Sequence, residues 1–314
     1  MAQSRRAAPP PRLSRSTLLV AIAVGAGLVA AWFYFGARGV EEGPARDGAP
    51  SWSGDGRRIV FIAEVGTSPA DIFVMNADGT GRQRLTDTPA AEANPAFSPD
   101  STRIAFESNR DGNSEIYVMD ADGRNVRRLT SDPATDQSPA WSPDGTHLAF
   151  MSDRNNRAST DIYTMSAADG SGLERLTTDL ANWAPQFSPD GRELAMQVNR
   201  DVQVIDLASK ALRRLTSDPD NGMNPTWSPD GRRIAFVTTR NGRAQIFGMN
   251  ADGSDQKALV TRPNGSVIDA RWSPDGAHLA FVFIPEQPPP GQPADSQAMY
   301  TIDLTSGQLV RLSR

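Results

Sequence analysis

The sequence predicts an all-β fold: a six-bladed β-propeller of four-stranded antiparallel blades, preceded by one N-terminal transmembrane helix. A segment of the type "PTWSPDGRRIAF" occurs six times, it returns every 40–46 residues, and only strand and turn signals lie between its copies. A repeat of about 40–45 residues that contains four short strands is typical of a propeller blade. The six blades begin near residues 50, 95, 139, 185, 225 and 270.

The chain begins with a basic tail and an apolar segment. Residues 1–16 contain four arginines and no acidic residue, and residues 17–36 form an uncharged run of 20 residues. As a helix with a rise of about 1.5 Å per residue, this run reaches roughly 30 Å, the thickness of a bilayer's hydrocarbon core. The positive-inside rule places the basic tail in the cytosol. We therefore expect a single-pass signal anchor in the cytoplasmic membrane, with the propeller on the extracytoplasmic side.

A cleaved signal peptide is the alternative for the same segment. The letters "VAA" at residues 29–31 resemble a cleavage site, and cleavage would give a periplasmic or secreted protein. The apolar run is longer than the roughly 7–15 residues of a signal-peptide core, and "WFYF" at residues 32–35 suits a membrane interface. The uncleaved anchor is therefore favoured, and residues 37–49 are expected to form a flexible linker.

The remaining residues, 50–314, are assigned to the propeller. In each repeat a short strand carries an aromatic residue, a turn of the Ser-Pro-Asp-Gly type follows, and runs such as "RIAF" and "EIYVM" come next. An Ala-Asp-Gly turn then precedes a segment such as "RRLT" at residues 127–130. Short apolar runs separated by Gly, Pro, Asn and Asp indicate strands and hairpins. Closure of the blades into a ring removes open sheet edges.

The segments "WSPDG", "SNRDGNSEIYVMDADG" and "RRLT" resemble the TolB-type, WD-like propeller repeats of bacterial envelope proteins. The resemblance covers residues 50–314. It implies a six-bladed propeller outside the cytoplasmic membrane that binds partner proteins. The chain departs from the family pattern in one respect, because the predicted membrane anchor stands where the family has an α/β domain.

Composition excludes several classes of function. The net charge of -5 provides no long-range attraction for phosphate, so no nucleic-acid partner is expected. The chain has no cysteine, and its two histidines, His147 and His278, share one strand position of the repeat. Catalytic triads and histidine-based metal sites therefore lack their usual residues. We expect no enzyme activity, no catalytic residue, no metal site and no cofactor; an enzyme that uses only carboxylates is the remaining catalytic alternative.

The two recurring acidic turns are predicted to be structural. Pro and Gly in Ser-Pro-Asp-Gly suit a type I turn, and Asp accepts hydrogen bonds from nearby amides. The Ala-Asp-Gly turns resemble part of a calcium loop but lack its remaining ligands and its closing Glu. Hairpin turns are favoured for both, and a cation bound by an acidic loop is the alternative.

Partner binding is instead predicted on the opposite face, where the loops differ most between repeats. These loops include residues 132–138, 179–184, 218–224 and 262–269. Variable loops on a rigid scaffold are where binding usually occurs. The candidate binding residues are Asn94, Arg110, Asp136, Arg154, Trp183, Arg200, Asn224, Arg240 and Asp269.

Trp183 is the one tryptophan that neither the repeat nor the anchor explains. At the mouth of the central channel it would be a strong binding anchor. The alternative is that it packs sideways on a neighbouring blade, since tryptophan is usually largely buried.

Four arginines occupy matching positions after the second strand of their blades: Arg110, Arg154, Arg200 and Arg240. They could form a partial basic ring for an acidic ligand. The favoured interpretation is that they pair with loop carboxylates such as Asp132 and Asp218 and brace this face.

Blades four and six depart most from the repeat. Blade four is shortened and has Gln203 where the other five blades have an aromatic residue. Blade six contains the insert "IPEQPPPGQPADSQ" at residues 284–297, whose proline run is expected to be extended. A tolerated surface loop is favoured over a docking segment for a proline-reading domain.

These features predict a non-enzymatic scaffold of the bacterial cell envelope that binds an envelope protein or peptide on its loop-rich face. The alternative is a carbohydrate-binding or carbohydrate-processing propeller. Because pectin-degrading lyases with propellers rely on a histidine-rich metal site, glycan binding without catalysis is the favoured form of that alternative.

Overall fold

The computed structural model describes residues 46–65, 68–178, 182–217, 222–287 and 297–313. The regular secondary structure of this part of the chain is β-strand. The predicted basic tail (residues 1–16) and membrane anchor (residues 17–36) lie outside the described residues. None of the residues that are described belongs to a helix with the length and apolar character needed to cross a bilayer.

The described residues form 24 strands, four in each blade. The first strands are β1 Arg46–Trp52, β5 Glu92–Phe97, β9 Asp136–Trp141, β13 Asn182–Phe187, β17 Met223–Trp227 and β21 Gly265–Trp272. The second strands are β2 Arg58–Glu64, β6 Arg103–Ser108, β10 His147–Ser152, β14 Glu193–Val198, β18 Arg233–Thr238 and β22 His278–Pro285. The third strands are β3 Asp71–Asn76, β7 Glu115–Asp120, β11 Asp161–Ser166, β15 Asp201–Asp206, β19 Gln245–Asn250 and β23 Ala298–Asp303. The fourth strands are β4 Gln83–Arg84, β8 Arg127–Arg128, β12 Glu174–Arg175, β16 Leu212–Arg214, β20 Lys257–Val260 and β24 Leu309–Arg311.

Each blade is one continuous segment whose four strands lie in chain order and pair antiparallel. The six first strands contact one another in a closed circle, which includes β21 against β1. They are therefore the innermost strands and line the central channel of the propeller. The prediction of an all-β, six-bladed propeller is confirmed for the described residues.

The hydrophobic core lies between the blades. Five clusters of buried apolar side chains separate neighbouring blades, and the largest one joins blades five, six and one. The second strands carry fully buried rings, such as Phe61, Phe106 and Phe150. Because both faces of a blade pack on a neighbour, runs such as "RIAF" are apolar at consecutive positions instead of alternating.

The Ser-Pro-Asp-Gly turns pack against one another on one side of the propeller, which we call the turn face. A Cβ atom on Gly56 would lie 3.7 Å from Cδ of Pro274 in the preceding turn, and other turn glycines meet the preceding proline in the same way. Blade one has Gly54 in place of this proline, and blade two has Ser101 in place of the glycine. A Cβ on Gly54 would lie 1.9 Å from the carbonyl oxygen of Pro99. The two exceptions to the turn sequence therefore lie at the same blade junction.

Blade six closes on blade one through the contacts that join the other blades. Trp52 Nε1 donates to the Arg271 carbonyl at 3.3 Å. A Cβ on Gly79 would lie 2.8 Å from the Leu312 carbonyl oxygen, so this turn glycine allows a close approach. The last strand, β24, pairs with β23 of its own blade. The described residues thus close the ring without a strand shared between two blades.

The first strand begins at Arg46, four residues before the predicted start of the propeller. Arg46 lies opposite Glu64 in the strand register, and its Nη1 is 3.3 Å from Glu64 Oε2. Asp47 is fully buried and accepts two hydrogen bonds from Arg82. Residues 46–49 therefore belong to blade one and not to the predicted linker.

Candidate binding site

The carboxylates of the Ser-Pro-Asp-Gly turns are used within their own turns. Asp144 Oδ1 accepts hydrogen bonds from Ser142 Oγ at 2.6 Å and from the Thr146 backbone N–H at 3.0 Å. These hydrogen bonds, the one from Ser142 first, lower the pKa of Asp144 to about 2. Serine hydroxyls lower the pKa of the equivalent residues in the same way, in Asp55, Asp100, Asp190, Asp230 and Asp275.

The Ala-Asp-Gly turns are built similarly. Asp122 Oδ1 accepts from the Arg124 backbone N–H at 3.0 Å, and Asn125 Nδ2 donates to Asp120 Oδ2 at 2.6 Å. Across the described ranges, no group of three or more His, Asp or Glu side chains is arranged to hold a metal ion. The turn carboxylates therefore serve as local hydrogen-bond acceptors.

The two histidines lie beside the turn face, each as the first residue of a second strand. The ring nitrogens of His278 lie 3.8 and 3.6 Å from carboxylate oxygens of Asp275 and Asp303. At the same position in blade two, Arg103 stacks 4.6 Å from the ring of the first-strand tryptophan of blade three. This position therefore serves contacts between strands and between blades.

Two of the four predicted arginines are held by buried acids. Arg110 Nη2 donates to Glu92 Oε1, and Arg154 Nη2 donates to Asp136 Oδ2 at 2.7 Å. Glu92 and Asp136 are each the first residue of a first strand, and both are fully buried. Burial raises the pKa of both acids, and the arginines act against that rise.

The prediction that Asp132 pairs with these arginines was wrong. Asp132 Oδ1 accepts from the backbone N–H of Ala134 at 2.9 Å and so caps its own loop. The other expected partner, Asp218, lies outside the described residues. A fully buried acid binds the guanidinium in preference to a loop carboxylate because the buried acid would otherwise lack a compensating charge.

The two guanidinium groups also lie on aromatic pairs. Arg110 Cζ is 5.4 Å from the ring centre of Phe106 and 4.9 Å from that of Tyr117. The same arrangement occurs in blade three, and the two rings of each pair stack with centres 5.6 and 5.9 Å apart. We call this arrangement a guanidinium slot: an arginine over the aromatic residues of the second and third strands, next to the beginning of the first strand.

Blade one fills its slot from a different part of the chain. Arg82, just before β4, lies 5.0 Å from the ring centre of Phe61 and 4.7 Å from that of Phe73. It donates to both carboxylate oxygens of Asp47, at 2.6 and 2.8 Å. In blades one, two and three, the arginine of the slot thus pairs with an acid of the first strand.

The other two predicted arginines differ from this pattern. Arg240 in blade five lies 4.6 Å from the ring centre of Phe247, and its Nη2 donates to Gln256 Oε1 at 2.9 Å. Blade four has no aromatic pair, since Met196 and Gln203 pair at these positions, and Arg200 is exposed. The four arginines therefore do not form one free basic ring.

Five predicted loop-face residues lie within first strands and not in loops: Asn94, Asp136, Trp183, Asn224 and Asp269. Asn94, Asn224 and Asp269 occupy a bulge with φ values of 47°, 48° and 54°. The equivalent residues of the other blades share this left-handed conformation, and the pairing with the second strand shifts there: Ala49, Ser138 and Ala184. Asn and Asp tolerate positive φ better than most residues, which explains their presence without a binding role.

The bulge side chains join neighbouring blades around the channel. Asn224 Nδ2 donates to Asp269 Oδ1 at 3.1 Å, and the Ala49 backbone N–H donates to the same carboxylate. Asn94 Nδ2 donates to Ser138 Oγ of blade three at 3.4 Å, and to Glu107 Oε2 of its own blade at 3.1 Å. These residues therefore connect the inner strands at the channel wall.

Trp183 is the second residue of β13 and is half-buried. It packs against the apolar cluster between blades three and four, which includes Phe187 and Leu194. The indole therefore packs against the apolar side chains between the two blades while part of its surface remains accessible. Its role in binding remains a prediction.

Two charged residues of the channel region were missed by the sequence analysis. Glu107 is buried, accepts from the Ser138 backbone N–H at 2.8 Å, and has a pKa raised by burial. Arg271 is half-buried, and burial lowers its pKa while Asp269 opposes that change. In the sequence, the sign of both residues is a charge at a repeat position where the other blades have a neutral residue.

Comparisons with known proteins agree with this architecture. The family model described as the TolB beta propeller domain matches residues 49–182 and 177–314. A Tol-Pal system protein TolB of Francisella tularensis subsp. mediasiatica is 29% identical over 229 residues, which are 70% of this chain and 52% of that protein. The chain therefore spans about half the length of the curated relatives that it matches. The crystal structure of TolB from Acinetobacter baumannii superimposes with a TM-score of 0.56 at 26% identity, over 67% of this chain and 53% of that chain.

Enzymes with the same fold are less similar to this chain in sequence. Oligogalacturonate lyase in complex with manganese has a TM-score of 0.59 at 14% identity and covers 86% of this chain and 78% of its own. Several peptidases match at 18% identity or below. These likenesses show the fold alone. Because the two matches to the family model together cover residues 49–314, the chain belongs to the TolB beta propeller domain family.

Proposed function

We propose that the protein is a non-enzymatic scaffold of the bacterial cell envelope that binds a protein or peptide partner on the face opposite the turn face, here called the loop face. The contrast between the two faces carries this proposal. The turn face repeats one hydrogen-bonded turn around the ring, whereas the loop face changes its side chains from blade to blade. The relatives named as Tol-Pal system proteins support a partner in the envelope.

The predicted anchor of residues 17–36 supplies the proposed location. It would hold the propeller on the extracytoplasmic side of the cytoplasmic membrane, with residues 1–16 in the cytosol. A reporter enzyme that is active only outside the cytosol, fused after residue 314, should be active. An inactive reporter in a stably expressed fusion would contradict this topology.

Crosslinking and affinity capture from native membranes test the binding function. The full chain should capture one or a few envelope proteins. Arg200 and Arg192 are exposed residues of blade four on the loop face and the turn face, respectively. We expect Arg200→Glu to reduce capture several-fold and Arg192→Glu to leave it unchanged, because only the former alters the charge of the proposed binding face.

Two results would contradict this function. Equal loss of capture in both variants would remove the assignment to the loop face. A glycan array that binds the protein while capture yields no partner would favour the carbohydrate alternative.

A further inference from the structure

Blade six contains a guanidinium group on an aromatic platform that no acid of the described chain occupies. Arg262 precedes β21, and its Cζ lies 4.9 Å from the ring centre of Phe283 and 5.6 Å from that of Tyr300. The two rings meet edge to face with centres 6.2 Å apart. Aromatic faces hold the planar guanidinium group in a fixed orientation and leave its edge for hydrogen bonds.

The other blades show what such a group binds. In blades one, two and three the arginine over the aromatic pair donates to a carboxylate of the first strand: Asp47, Glu92 and Asp136. In blade six the equivalent strand position is Val267, which is fully buried and packs in the largest apolar cluster. Arg262 therefore has the platform of the slot without the internal acid.

Glu286, an acid at the end of the second strand region of blade six, is paired with another arginine. Glu286 Oε1 accepts from Arg243 Nε at 2.7 Å and from Arg243 Nη2 at 2.5 Å. Arg243 also donates to the carbonyl of Pro263, the residue after Arg262. Within the described part of the chain Arg262 forms no ion pair, and the residue is half-buried.

The aromatic pair under Arg262 also uses a different position of the second strand from the aromatic pairs of the other slots. Phe283 lies two residues further along the second strand than Phe281, the residue equivalent to Phe106. The second strand runs from the turn face to the loop face, so the shift moves the guanidinium towards the loop face. Arg262 is also partly exposed to solvent at this position.

We propose that Arg262 binds a carboxylate of the partner that the loop face recognises, in the place that an internal acid fills in blades one to three. The inference rests on the proposed function, because it names the chemistry of that same face. The carboxylate is either an acidic side chain or the C-terminus of a peptide. A two-bond guanidinium–carboxylate contact of this kind is typical of specific recognition.

Three fluorescein-labelled pools of random octapeptides, titrated against the full chain by fluorescence anisotropy, test the proposal. One pool has a free C-terminus and no acidic residue, the second is amidated and contains one glutamate, and the third is amidated and contains no acid. One of the first two pools should bind on the order of 10-fold more tightly than the third, the effect expected for a charged hydrogen-bonded pair. The pool that binds more tightly identifies the source of the carboxylate.

Variants localise the effect. Arg262→Gln should abolish the preference for carboxylates. Arg262→Lys keeps the charge and should lose most of the preference, because lysine lacks the planar fork. Arg157→Gln is the matched control: it removes an equal charge from an exposed arginine of blade three that has its own partner, Asp153, and it should retain the preference.

The proposal is overturned if the wild-type protein binds the three pools equally, or if Arg262→Gln or Arg262→Lys keeps the full preference. Capture of an envelope partner together with either result would leave the proposed function intact and remove only the role of Arg262. Absence of both partner capture and peptide binding would remove the two proposals together.

Discussion

At the scale of single residues, a buried carboxylate in this propeller has one of two kinds of partner. Asp47, Glu92 and Asp136 each contact an arginine. Glu107 instead accepts hydrogen bonds from neutral donors, the backbone N–H of Ser138 and the side chains of Asn94 and Gln137. Without a cation beside it, the charged form of Glu107 is costly in this buried place.

Glu107→Gln should stabilise the protein at neutral pH. Burial raises the pKa of Glu107 above 4.5, so the folded protein holds this proton more tightly than the unfolded chain does. The contribution of Glu107 to the free energy of unfolding therefore falls as the pH rises from about 4.5 through the raised pKa. We expect the variant to exceed the wild type by about 1–2 kcal/mol at pH 8 and by less at pH 5, as measured by urea unfolding.

Glu174→Gln is the control for this prediction, since Glu174 is exposed and pairs with Lys210 at the surface. It should change the free energy of unfolding little at either pH. An equal effect of Glu107→Gln at pH 5 and pH 8 would contradict the role assigned to its charge.

The residue scale is also where prediction from sequence succeeds least. Arg82 and Arg262 both lie over a pair of aromatic rings but come from different places in the repeat, so no alignment of copies brings them together. Glu107 stands in a strand, where the pattern gives no sign of the bulge that supplies its hydrogen bonds. Spatial neighbours from separate blades cannot be identified from one repeat alone.

At the scale of elements, the short fourth strand is held by side chains more than by its length. Arg128 of β8 contacts Glu115, the first residue of β7, at 2.6 Å, and Thr130 Oγ1 donates to the same carboxylate at 2.6 Å. Blades one, three and four repeat the arginine–acid contact. Thr130 also accepts from the Ile116 backbone N–H at 2.9 Å. The "RLT" segment is thus a brace between the third and fourth strands.

Arg154→Met should destabilise the protein strongly, whereas Arg200→Met should not. The first change leaves the carboxylate of Asp136 buried without its cation, which costs about 3–5 kcal/mol. The second removes an exposed arginine of blade four, and such surface changes usually stay within about 0.5 kcal/mol. Urea unfolding of both variants measures the difference, and similar midpoints for the two would show that the pair of Arg154 with Asp136 does not brace the first strand.

Prediction from sequence succeeds better for elements. The aromatic residue, the Pro-Asp-Gly turn and the "RIAF" run mark the first and second strands in all six copies, because turn chemistry and burial on both faces demand those residue types. The start of β1 was placed late because "RDGA" reads as a linker. Its strand conformation depends on Glu64 and Arg82, which lie later in the chain.

At the scale of the whole molecule, the pairing of first-strand acids with arginines on the loop face differs between the blades. A first-strand acid with its arginine is present in blades one to three, whereas the equivalent residue is Asn182 in blade four and Val267 in blade six. At blade six the largest apolar cluster takes the place of this ion pair, since it joins blades five, six and one. Blade six is therefore held chiefly by apolar packing.

Deletion of residues 265–314 should abolish the compact monomer. Removal of blade six exposes the apolar faces of blades five and one, including Phe61 and Ile246, to solvent. We expect aggregation in size-exclusion chromatography, and recovery of the compact monomer when a peptide of residues 265–314 is added during refolding. A soluble, cooperatively unfolding five-bladed monomer would contradict this view of the ring.

The absence of a shared strand in the described ring has a consequence for synthesis. Each blade is encoded by one uninterrupted stretch of about 45 residues, so every strand pairing forms between segments that leave the ribosome or a translocon within seconds of each other. Blade one does not wait for the last residues of the chain to complete its sheet. The blades can therefore form one after another during synthesis. Only the final docking of blade six against blade one requires the two ends of the propeller to meet.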